Sequence, residues 1–383
     1  MAETVYPRPF GGRTEKELKT MSRTAGQNSA TLMRIVCAIL FLIFTFTYLY
    51  FYQADVLAVT QHLLSGGQTH YDRTIGAVLL TLVLYVLHLG VLALTKLTRR
   101  AHAITYFPSL LALSVLTGIH VYNDGSFDFG RWYWLGTVLL VVFAVLAFFL
   151  YKLHLFEQQI KLSYNPLRLL WMNMLLMCAM FIFVGFTSNH SDVFHYRMRM
   201  ESCLQNKDYD GALKVGEKEA VADSNLTLLR IHALARKRQL GERLFEYPLC
   251  GGSSVMLPDG RNVKPLMYPS YKFIKYPALD FELCKYLLDK DLGSFANLIN
   301  ERSDVYALSE DSLKDALPKH YREALVLYNR LKANPVVSYH HEVFDADFED
   351  FLKLMKKEKT VDRLQKRLRS VYGNTYWFYY YFL

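Results

Sequence analysis

The sequence predicts an all-α protein in two parts: a five-helix transmembrane bundle, then an α-solenoid-like soluble domain. Three observations predict it. Apolar stretches occupy about residues 33–52, 75–94, 104–121, 132–151 and 167–186. Each approaches the ~20 residues that, rising ~1.5 Å apiece as a helix, span a ~30 Å hydrocarbon core. The basic residues between these stretches alternate rich, poor, rich, poor, rich. From residue 187 onward, amphipathic helices separated by short turns recur instead.

A polar leader, residues 1–32, precedes the first stretch and carries Arg8, Arg13, Lys16, Lys19 and Arg23. No small-residue cleavage site follows that stretch, where the chain reads Tyr52-Gln53-Ala54-Asp55, so the first helix is expected to stay as a signal anchor. The first connection has only Arg73, the second Lys96, Arg99 and Arg100, the third Arg131, and the fourth Lys152, Lys161 and Arg168. The positive-inside bias then puts the N-terminus in the cytoplasm. Five crossings put residues 187–383 on the far side.

The first and third connections face outward on this topology. They hold Asp55, His62, His70 and Asp72, and then Asp124 and Asp128. Carboxylates and imidazoles are the groups that general acid–base chemistry needs. No D-x-D or E-x-D pair occurs among them, and Asp124-Gly125 reads as a turn tip. The bland reading, solvated loop residues, is the expected one. Within the spans, His88 and Asn173 are the polar side chains to explain, and hydrogen bonds to neighbouring helices suffice. No span carries an acidic residue, which argues against ion-coupled transport.

The outer half, 187–383, opens with helices over 194–205, 209–220 and 227–238. Lys207-Asp208-Tyr209-Asp210-Gly211-Ala212 resembles the turn and second helix of a tetratricopeptide repeat, with Ala212 at the small position where helices approach. Lys207 and Gly241, placed in successive turns, stand 34 residues apart, the period of that repeat. Gly216 stands where the repeat usually has an aromatic, and Pro248 cuts the second hairpin short. Asp289-Lys290-Asp291 echoes Asn206-Lys207-Asp208, and Arg322–Leu331 reads as another second helix. The expected packing residues are Tyr209, Ala212, Gly241, Ala324, Tyr328 and Leu331. An irregular insertion rich in Gly, Pro and Tyr covers about 250–277. The aromatic end, Tyr376–Leu383, is expected to pack as a cap, because repeat arrays need covered ends.

Composition removes several function classes. The net charge of +9 resides mostly in the membrane half, with 14 Lys/Arg against 8 Asp/Glu up to Phe186 and 30 against 27 beyond. Lipid headgroups at the cytoplasmic face account for that excess, and no nucleic-acid partner is expected. The helix over 347–370 bears Lys356, Lys357, Lys359, Arg363, Lys366, Arg367 and Arg369, which reads first as a solvated face and second as a contact with anionic lipid. His340-His341-Glu342 lacks the H-E-x-x-H spacing of a zinc site, so neither metal nor cofactor is expected. Cys203, Cys250 and Cys284 leave one disulfide open, with no framework spacing. No G-x-S-x-G, Walker A or G-x-G-x-x-G motif occurs.

Segments at Tyr50–Asp55, Ala101–Pro108, Phe194–Glu201, Gly241–Leu249, Leu317–Leu327 and Asn374–Tyr380 make the chain resemble a family of uncharacterised Bacteroidota multi-pass inner-membrane proteins. The resemblance implies a bacterial inner membrane and a periplasmic second half, and transfers no activity. The expected function is non-enzymatic: a tetratricopeptide-like periplasmic domain, held by the bundle, binds a protein or peptide. The alternative is a membrane-interface enzyme acting on a lipid-linked or polysaccharide substrate through Asp55, His62, His70, Asp72, Asp124 and Asp128. Partner identity and oligomeric state stay open.

Overall fold

A computed structural model describes residues 15–97, 102–122, 126–160, 166–217, 222–259, 263–269, 272–273, 279–302, 317–357 and 361–383. The start of the polar leader, Asp124 and Gly260 lie outside them. The chain divides into two compact units, Met1–Val121 with Phe127–His190, and Ser191–Leu383 with Tyr122–Ser126. Among the described residues both are helical, apart from one two-stranded ribbon.

The first unit begins with α1 (Glu15–Thr47), which ends in a π turn over Tyr48–Tyr52. Then come α2 (Ala54–Leu64), α3 (Arg73–Thr95), a 3₁₀ turn over His102–Tyr106 leading into α4 (Phe107–Thr117), the ribbon β1 (His120–Val121) and β2 (Phe127–Asp128), α5 (Trp132–Ile160) and α6 (Pro166–Thr187). Four helices could cross a membrane by length and composition: Thr31–Tyr52, Arg73–Thr95, Trp132–Leu153 and Leu167–Thr187. The stretch expected as a fifth full-length span, 104–121, is a correction. Its apolar helical part runs only His102–Thr117 and stops at Gly118.

That short helix differs in kind from the other four. It is buried on nearly every side, and Thr105, Ser109, Ser114 and Thr117 are fully buried. Hydrocarbon gives a hydroxyl no partner, so such residues turn toward other helices, and Ser109 and Thr117 bond across to them. Ser109 Oγ donates to the Leu84 carbonyl of α3 at 2.8 Å. Two contacts with α6 bracket the helix: the Ala103 amide donates to Asn173 Oδ1 at 2.8 Å, and Thr117 Oγ1 lies 2.7 Å from Ser188 Oγ. His88 stacks on Tyr106, ring centroids 3.5 Å apart, and its Nδ1 lies 3.2 Å from Thr105 Oγ1. Thr105 already donates to the His102 carbonyl, so His88 Nδ1 carries the proton in that contact.

The second unit contains α7 (Asp192–Gln205), α8 (Tyr209–Lys214), α9 (Ser224–Arg236), the short α10 (Leu240–Arg243), α11 (Leu279–Leu288), α12 (Leu292–Glu301), α13 (Lys319–Leu331), α14 (Glu342–Lys357), α15 (Val361–Tyr372) and α16 (Tyr376–Phe382). Three junctions share one geometry. Lys207, Arg238 and Lys290 hold φ of 59°, 58° and 59° in the left-handed region. In each, the next amide bonds back five residues: Asp208 to Cys203, Gln239 to Leu234, and Asp291 to Tyr286. This closure satisfies carbonyls a helix end leaves bare. Asp208 and Asp291 then cap α8 and α12, accepting from the Gly211 and Ser294 amides.

Gly241 is a second correction, since it lies inside α10 and not in a turn. The corresponding turn residues are Lys207 and Arg238. A Cβ on Gly241 would sit 2.5 Å from the Tyr321 ring, so this glycine lets α10 and α13 approach closely. Ala212, Ala324 and Tyr328 lie in the core, and Tyr209 packs against it. Leu331 does not: at the last turn of α13 it is 49% exposed. The aromatic end is buried from Tyr376 to Tyr379. Buried Glu323 holds it, because its carboxylate accepts from the Tyr376 amide at 2.7 Å and its carbonyl from Trp377 Nε1 at 2.7 Å.

Candidate functional site

The acid and base candidates of the outer connections have local roles in the first unit. Asp72 caps α3, accepting from the Thr74 and Ile75 amides. Asp55 and His62 lie at the two ends of α2, and the His62 ring covers Gly67. His70 is exposed in the following loop. Asp128 faces His120 across the ribbon. Among the described residues, no three His, Cys, Asp or Glu side chains are grouped to hold a metal, and all five cysteines are free thiols.

The second unit contains a more organised constellation. Arg197, Glu201 and Gln205 recur every four residues along α7 and so share one face. Pro265 and Pro269 favour extended backbone at Lys264 and Tyr268 and remove two amide donors. The stripe holds this segment by its main chain. Glu201, fully buried, accepts three consecutive amides, from Leu266, Met267 and Tyr268, at 2.5–3.2 Å. Arg197 donates to the Lys264 carbonyl and, at 3.3 Å, to Glu201. Gln205 Nε2 donates to the Met267 carbonyl at 2.7 Å, and Asn225 Oδ1 accepts the Lys264 amide at 2.9 Å.

Side chains complete the seat. Val263, Met267 and Tyr268 are buried. Tyr268 Oη lies 3.0 Å from His232 Nε2, and Phe273 packs on the same imidazole with ring centroids 4.7 Å apart. Burial, aided by the Arg236 charge, lowers the His232 pKa to about 4, so it is neutral at pH 7. Glu201 gathers three successive amides of a bent segment, and the buried side chains of Val263, Met267 and Tyr268 fix that segment in place. Sequence reading identified the α7 helix and the Pro-rich insertion but missed that they meet. The available signal was a polar stripe at fourfold spacing beside a run whose amides had no helix or sheet to satisfy them.

The model of a family of unknown function, DUF6057, matches residues 17–273 and 275–383, and the chain belongs to that family. No curated protein and no solved structure matches the chain.

Proposed function

We propose that this family member is a membrane-anchored helical scaffold that binds a protein or peptide segment with its second unit. The observation that carries the reading is the seat on α7. Arg197, Glu201 and Gln205 hold Lys264–Tyr268 by its carbonyls and amides, the groups that any polypeptide segment offers. The recurring hairpins with their shared turn support a tetratricopeptide-like array around that seat. Binding without turnover is the proposed mode of action.

In this reading the first unit crosses the inner membrane of a bacterium five times, α4 included. The α6 contacts at both ends of His102–Thr117 and the alternating basic connections support the fifth crossing. The second unit then samples the periplasm. Photo-cross-linking in native membranes tests the function. A photoreactive residue at Lys264 should trap a defined polypeptide, and one at Lys353 on α14 should not. Recovery of lipid alone from the Lys264 position would sink the proposal.

A further inference from the structure

Helix α15 presents two unlike faces. Leu364, Leu368 and Tyr372 recur every four residues and turn inward: Leu368 is fully buried, and the other two pack against the core. Arg363, Lys366, Arg367 and Ser370 stand at helical spacing on the opposite side, and all four are exposed. Val371, 57% exposed, follows Arg367 by one turn and continues that side. The preceding helix, α14, adds Lys356 and Lys357, exposed in its last turn. Lys359 lies outside the described residues.

The charges nearby are arranged differently. α14 begins acidic, with Glu342, Asp345, Asp347, Glu349 and Asp350. Basic residues beside that half are paired: Lys353 Nζ lies 2.8 Å from Asp350, and Arg330 Nη2 lies 3.0 Å from Glu349. Among the described residues Lys356, Lys357, Arg363 and Lys366 enter no ion pair. Asp362 is the one carboxylate on α15, so the face stays strongly positive. Such a face takes an anionic partner, and the tether selects which. α6 ends at Thr187 and α7 begins at Asp192, so a short link joins an apolar span to this unit. Five peptide steps reach at most ~18 Å. Headgroups of the bilayer around α6 are therefore present at high effective concentration, an advantage no free polyanion shares. Clusters of ~4–8 Lys/Arg close to a span are the pattern that anionic lipid attracts.

We infer that the exposed face of α15, with Lys356 and Lys357, docks on anionic headgroups of the bilayer that anchors the chain. The inference rests on that anchoring and not on the seat at α7. The full chain in nanodiscs tests it, with Cys178 and Cys250 replaced by serine and an environment-sensitive fluorophore on Ser370→Cys. Incorporation into the discs reports the anchoring separately. Pure phosphatidylcholine should leave the fluorophore in water, and one-third phosphatidylglycerol should shift its emission to the blue. Molar salt should reverse the shift. Arg363→Ala and Lys366→Ala should each lower the docked-to-free ratio about fivefold. Arg363→Glu combined with Lys366→Glu should abolish docking, and the fluorophore on Ala346→Cys, in the acidic half of α14, should not respond. No shift with phosphatidylglycerol would overturn the inference, as would a shift that survives the double charge reversal. An equal shift in pure phosphatidylcholine on adding polyglutamate or duplex RNA would also overturn it, since the face would then bind polyanions in general.

Discussion

Glu201 concentrates more of the second unit's organisation than any other side chain. Three backbone amides and a guanidinium end on one buried carboxylate. Glu201→Gln keeps the shape but replaces one acceptor oxygen with a donor group, which faces amides that also donate. The expected cost is about 3 kcal/mol, because Arg197 then loses its counter-charge inside the protein. Limited proteolysis should detect it as faster cleavage within 257–273, with the Asp192–Gln205 helix still protected. His232 makes the same seat pH-sensitive. Its folded pKa of about 4 lies below the unfolded 6.5. Between those values the unfolded state takes up a proton that the folded state refuses, so stability falls as pH drops through that window. The full loss is about 3 kcal/mol below it. Amide exchange at Leu266–Tyr268 should therefore accelerate from about pH 7 to about pH 5, after correction for intrinsic rates, and His232→Gln should flatten that dependence. The two elements of this seat were legible in the sequence but their meeting was not, because its bonds join residues 36 to 67 positions apart. Local pattern shows which groups need partners but not which partners they find.

The helical junctions show the opposite case. Asn206-Lys207-Asp208 and Asp289-Lys290-Asp291 look alike in sequence and share one backbone geometry. The third member, at Arg238, is hidden because Gln239 stands where the others have a capping Asp. Lysine and arginine are strained at these left-handed φ values, where glycine is not. Lys207→Gly and Lys290→Gly should each stabilise the second unit by about 0.5–1 kcal/mol, net of the added freedom of the unfolded chain. Thermal unfolding followed by circular dichroism would read the gain, and a loss at either site would contradict the shared-turn account. Gly241→Ala should act in the other direction. The Tyr321 ring cannot retreat easily, since it is fully buried and its hydroxyl is fixed 3.1 Å from Asp280 Oδ1. A cost of about 1–3 kcal/mol follows from overpacking at that contact. The short α4 escaped the sequence for a related reason. Hydropathy sums side chains and does not register that four hydroxyls in this stretch turn toward neighbouring helices rather than lipid.

At the scale of the whole molecule, everything assigned to the second unit's surroundings depends on whether α4 crosses the membrane. As five 3₁₀ residues and eleven α-helical ones it extends about 26 Å, slightly less than the ~30 Å hydrocarbon core. A lipid-facing helix of that length would carry a mismatch cost, but a helix enclosed by others presents almost no surface to lipid. Four crossings would also move Lys152, Lys161 and Arg168 to the outer face and Arg131 to the inner, which reverses the basic bias. Cysteine labelling separates the two arrangements. With Cys178 and Cys250, the exposed native thiols, replaced by serine, single cysteines would be placed at Thr69, Lys96, Tyr122 and Lys332. In intact cells, a membrane-impermeant maleimide should reach positions 69, 122 and 332 and spare 96. If α4 turns back instead, 122 and 332 should be protected together with 96 while 69 still reacts. That outcome would place the peptide seat in the cytoplasm.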